Sequence, residues 1–139
     1  MEQNKALGLI SIARKAGKIE FGEEPTGAAA RARKARLIVV ACDASEHAVR
    51  RVRNYVAGTK QPWLHLPYTK AELGGAMGKP DCAMAAITDV SLAQAFVQAL
   101  GEPEKYAPLL QQLDVRVQRV RQRAKEEKAH SKHVRHGSK

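Results

Sequence analysis

Leu37-Ile38-Val39-Val40-Ala41-Cys42 is a continuous apolar run, and Cys82-Ala83-Met84-Ala85-Ala86-Ile87 is a second. Short runs without polar alternation mark strands covered on both faces. Such strands need helices above and below them. Lys18-Ile19-Glu20-Phe21 alternates and reads as a brief strand, and Trp63-Leu64-His65-Leu66 after Pro62 reads as another. Helical segments separate these pieces throughout. The order predicts an α/β fold, a three-layer α/β/α sandwich built on a small mixed sheet.

The helices announce themselves by their ends. Asn4 can cap a first helix that carries Leu9, Ile10, Ala13 and Ala16 on one face and stops at Gly17. Pro25 suits the first position of an Ala-rich helix reaching about Lys34, because its missing N–H has no partner there. Asp43 with Glu46, and Thr69 with Glu72, resemble capping boxes. The first opens a helix with Ala48, Val52, Tyr55 and Val56 inward, ending at Gly58. The second opens a short helix leading into Leu73-Gly74-Gly75-Ala76-Met77-Gly78-Lys79-Pro80. Asp89 caps a last core helix over about Ser91–Leu100, ended by Gly101.

Pro103 marks a boundary. Beyond it Tyr106, Leu110, Leu113, Val117, Val120 and Ala124 alternate steps of four and three, a stripe on one helix. The simplest expectation is that this stripe packs on the domain's own surface; self-association or a partner protein through it is the alternative. The organisation expected is therefore a domain over 1–101, a basic amphipathic helical extension over 102–128, and a disordered basic tail over 129–139.

Charge points to the ligand class. The chain of 139 residues has 24 Lys and Arg against 14 Asp and Glu, a net charge of +10. Residues 115–139 alone hold 9 basic and 2 acidic side chains, 9 − 2 = +7. A basic body with a more basic end is the footprint of a protein that meets polyphosphate, solubility being the plainer explanation. With 44% apolar residues the chain can bury a core, and no apolar run approaches the roughly 18 residues of a membrane span. Cys42 and Cys82 form no CxxC pair and sit in apolar runs, as expected of a reduced, cytoplasmic protein.

Enzyme motifs fail one by one. A P-loop needs a glycine where Leu73 stands and a Ser or Thr where Pro80 stands. No GxGxxG follows a strand, and no GxSxG exists. Asp43 and Asp89 follow strands but fit capping roles. His130, His133 and His136 could converge on a helix, yet a metal site needs fixed geometry and a second layer of support that a basic tail lacks. His65 reads as structural. No nucleophile, base and orienting group can be assembled, so no catalytic residue, metal or cofactor is expected.

Three stretches together carry a family resemblance: Leu7-Gly8-Leu9…Ala13-Arg14-Lys15-Ala16-Gly17-Lys18…Gly22-Glu23-Glu24; Ala35-Arg36-Leu37 through Ser45; and Leu73-Gly74…Ala76-Met77-Gly78-Lys79 leading to Ala85-Ala86-Ile87-Thr88-Asp89. In this order and spacing, over about residues 4 to 100, the chain resembles the ribosomal L-seven-Ae superfamily, most closely its bacterial YlxQ-type branch. The resemblance implies the same sandwich and binding to structured RNA, typically a kink-turn, a sharply bent internal loop with sheared G·A pairs. It implies contacts from Gly22, Glu23, Glu24, Pro25 and Thr26, and from the loop Gly78, Lys79, Pro80 and Asp81, with Arg14, Lys15, Lys18 and Arg31 meeting phosphates. A helix N-terminus offers free N–H groups to such a ligand, and a carboxylate accepts from base amino groups. Strong kink-turn binders of the family carry Asn-Glu where this chain has Glu24-Pro25, and a lysine where it has Ala28. The expected function is a non-enzymatic RNA-binding protein, ribosome- or transcription/translation-associated, with ribosomal RNA or mRNA as partner and no membrane. The rival is a protein-interaction module of that machinery with incidental RNA binding.

Overall fold

The computed structural model of the chain describes residues 2–137, with side chains from 5 to 130. Its elements are α1 (Glu2–Lys15), β1 (Ile19–Phe21), α2 (Glu23–Arg31), β2 (Leu37–Val40), α3 (Glu46–Val56), β3 (Trp63–His65), α4 (Lys70–Ala76), β4 (Met84–Ile87), α5 (Val90–Ala99) and α6 (Ala107–Gly137). The strands order β1-β4-β2-β3. β4 runs antiparallel to both β1 and β2, while β2 and β3 are parallel and joined through α3. The sheet is therefore small and mixed, and the α/β expectation holds.

Alternation along the two central strands assigns the layers. Leu37, Val39, Ala85 and Ile87 face one core, shared with Ile10 of α1, Leu73 of α4 and Phe96 of α5. Ile38, Val40, Met84 and Ala86 face the other, against Ala29 and Ala30 of α2 and Val52 of α3. Every residue of both strands is buried, which is why neither run shows polar alternation.

α6 joins the first core. Tyr106, Leu113 and Val117 are buried within it, and Leu110 packs against it. The stripe thus covers its own domain, and residues 102–117 are continuous with the fold. From Gln118 onward every described side chain is exposed, including Val120 and Ala124. α6 passes Lys128 without a break. The rest of the expected tail, with His133 and His136, lies outside the residues whose side chains are described.

Several expected ends move. α1 begins at Glu2, ahead of Asn4, so Asn4 is not its cap. α2 begins at Glu23, putting Pro25 third rather than first, still within the turn whose N–H groups lack helical partners. It ends at Arg31, short of Lys34. Ser45, not Asp43, caps α3, its hydroxyl accepting from the Ala48 N–H at 3.1 Å. Asp43 instead accepts from the Lys70 N–H at 2.7 Å, at the start of α4. The Thr69–Glu72 capping box and the Asp89 cap are formed. Cys42, two residues past the end of β2, is exposed; Cys82 is buried, and both are free thiols.

Candidate nucleic-acid interface

β1 ends beside the start of β4, with Phe21 paired to Ala85. The chain turns there through Gly22, whose φ of 93° is readily reached only without a β-carbon. The Gly22 N–H donates to the Met84 carbonyl at 2.9 Å, tying the turn to β4. Gly22 then stands as N-cap of α2 with no side chain to cap it. Pro25 has no N–H to offer, so Glu23 and Glu24 supply the free donors of this helix start.

The two carboxylates are not equivalent. Glu23 Oε1 lies 2.6 Å from Arg51 Nε and 3.9 Å from His47 Nε2, and the Tyr55 hydroxyl donates to the Glu23 carbonyl at 3.2 Å. Glu24 is exposed and has no ion pair among the described residues. Close packing of α2 on α3 depends on Gly27, since a β-carbon there would fall 2.9 Å from the Tyr55 ring. Thr26 is fully buried and its hydroxyl has no hydrogen-bond partner, so it lies beneath the surface rather than on it.

The loop of residues 78–81 arrives from the other side. Its Lys79 N–H donates to the Gly74 carbonyl at 2.8 Å, and Gly78 turns at φ 73°. Lys79 Nζ stands 5.1 Å from the centroid of the Phe21 ring, and the Arg14 guanidinium carbon 4.9 Å from it. Two cations flank one aromatic ring, each attracted to its π face. Between the loop and the α2 start runs a groove of about 300 Å³ lined by Phe21, Gly22, Glu23, Lys79, Pro80 and Asp81. Arg14 and Lys15 line a neighbouring depression with Gly78. Burial pushes the Cys82 thiol at the groove floor above its usual range.

One expected contact stands elsewhere. The Lys18 carbonyl accepts from the Thr88 N–H at 2.9 Å, beyond the far end of β1. Arg31 is the last residue of α2, but its guanidinium reaches back along the helix: a β-carbon on Gly27 would stand 3.2 Å from Arg31 Nη1, beside the Tyr55 ring. Phe21, His47, Arg51 and Tyr55 were not expected here. The last three do recur every fourth residue, a legible stripe on α3.

A family model described as the ribosomal protein L7Ae/L30e/S12e/Gadd45 family matches residues 4–97. The chain belongs to this family. It is 38% identical over 78 residues to a protein named RNA-binding protein YlxQ from Enterococcus faecium, spanning 56% of this chain and 75% of the relative. The fold is shared with a protein of unknown function from Bacillus halodurans C, at TM-score 0.65 and 21% identity over 70% of this chain and 98% of the other. It is also shared with a 15.5 kD RNA binding protein of Giardia lamblia, at TM-score 0.60 and 20% identity over 75% and 88% of the two chains. Within this family member the groove, the uncapped helix start and the loop carrying Lys79 meet at one end of the sheet. The α6 extension lies outside the matched span. Among the described residues no helix is long and apolar enough to cross a membrane.

Proposed function

We propose that this chain is a non-enzymatic RNA-binding protein that grips a kink-turn-like bend at the rim between α2 and the loop of residues 78–81. The observation that carries the reading is one juxtaposition: the uncapped α2 start with its unpaired Glu24 faces a loop whose Lys79, with Arg14, flanks Phe21. Free N–H groups and cations suit phosphates; Glu24 suits base amino groups in the bend. Pairing of Glu23 with Arg51 leaves Glu24 as the base-reading carboxylate. Family membership and two relatives named for RNA binding support the same reading. It implies a cytoplasmic protein of the ribosome or the transcription and translation machinery, with ribosomal RNA or mRNA as ligand. The stripe that would serve a protein partner is buried in the domain at Leu113 and Val117, which weakens the rival.

The test is a fluorescence titration against a kink-turn RNA and a matched straight duplex at two salt concentrations. A preference for the kink-turn that survives the higher salt, and that shrinks in Glu24→Gln, is expected. Equal binding that collapses with salt for both RNAs would overturn the reading.

A further inference from the structure

The opposite end of the sheet carries its own cationic surface. β4 pairs Ile87 with Leu37, and the Arg36 N–H donates to the Ile87 carbonyl at 2.8 Å, so Arg36 stands at the end away from Gly22 and Met84. Lys60 precedes β3 at the same end, since Trp63 pairs with Ile38. α6 crosses there. Gln112 of α6 donates to the Lys60 carbonyl at 2.9 Å, clamping the loop to the helix. Two adjoining grooves result, one including Lys60 and the other Arg36 and Arg123, with Arg116 and Arg119 lining both.

These five cations have no carboxylate within ion-pairing distance among the described residues. Arg116, Arg119 and Arg123 follow each other at three and four residues, spacings at which like charges destabilise a helix. An anion in the grooves relieves that repulsion. The first groove is about 530 Å³, open, and bounded by charges on two segments, Lys60 on its loop and Arg116 and Arg119 on α6, dimensions that suit a run of backbone phosphates better than a single buried ion.

We propose that Arg36, Lys60, Arg116, Arg119 and Arg123 form a second, sequence-independent surface for a nucleic-acid phosphate backbone, so that one chain can hold two RNA segments. The strands alone separate the two ends by about 10 Å, and the ends face opposite ways. This surface does not depend on the rim's preference for bent RNA.

The experiment measures the salt dependence of binding to a short straight RNA duplex for the full chain and two doubly substituted variants. R119Q/R123Q removes two exposed cations of the surface; R50Q/R53Q removes two exposed cations of α3. Both keep good helix formers, and circular dichroism checks the fold. Each lost duplex phosphate contact lowers the slope of log K against log salt by about 0.9. R119Q/R123Q should lose about 2 from the slope, and so about tenfold less affinity than the parent between 50 and 200 mM salt. R50Q/R53Q should stay near the parent. Equal slopes for the two variants, or a parental slope in R119Q/R123Q, would overturn the proposal. A failure of kink-turn preference at the rim would leave these slopes unchanged, so the two results are separable.

Discussion

Gly74 of α4 lies directly on the backbone of Asp81: a β-carbon built on Gly74 would sit 2.6 Å from the Asp81 Cα. The contact, with the Lys79 N–H donating to the Gly74 carbonyl at 2.8 Å, fixes where the loop of residues 78–81 stands over the groove. The obstacle is backbone, which cannot rotate away as a side chain would.

Gly74→Ala must therefore displace the loop or α4. Overpacking of this kind costs about 1–3 kcal/mol. Urea denaturation should show that loss, and Lys79 should no longer sit beside Phe21, so the ratio of kink-turn to duplex affinity should fall as well. Parental stability in this variant would contradict the packing described.

Gln61 is a buried polar side chain that staples α2 to β2. Its Oε1 accepts from the Ala35 N–H at 3.2 Å, and its Nε2 donates to the Ala30 carbonyl at 3.0 Å. Gln61→Leu keeps the volume and removes both bonds, along with a third from its Nε2 to the Thr59 hydroxyl at 3.3 Å. The Ala30 carbonyl still accepts from the Arg33 N–H, but the Ala35 N–H is left without its acceptor. An orphaned buried donor costs about 1–3 kcal/mol, and a urea midpoint lowered accordingly is the expected result.

The two thiols should separate cleanly. Cys42 is exposed and should react quickly with a disulfide reagent, whereas Cys82 is buried, its Sγ donating to the Met84 carbonyl at 3.0 Å. Burial raises the Cys82 thiol above its ordinary value of 9.0. A raised folded value means the folded state holds the proton longer. The associated stability is full below the ordinary value and is lost as pH rises through the folded one. One fast equivalent, a second released only on unfolding, and a stability decline on the alkaline side are expected. Two fast equivalents in the native protein would contradict this burial.

Much of this is legible in the sequence. The doubly buried runs at 37–42 and 82–87 dictated a covered sheet, and Thr69 with Glu72 and Asp89 marked helix starts that formed as read. Asp43 and Ser45 both offer an acceptor ahead of α3, and spacing cannot choose between them: Ser45 reaches its own helix, freeing Asp43 for Lys70. The resemblance implies a contact from Thr26, yet each residue along a helix turns the side chain by about 100°, and this one is buried. Phe21 read as a strand residue only, since nothing in its neighbours along the chain tells of Lys79.

By itself the sequence determined the layers, the basic character and the family, because these follow from local periodicity, composition and motif spacing. Tertiary structure alone decided which charges stand together. Strand order brings residue 21 beside residue 79, and α6 lies over the far end of the sheet, where Arg36 and Lys60 meet Arg116 and Arg119. Such pairings arise from chain crossings between residues dozens of positions apart, and no local pattern encodes them.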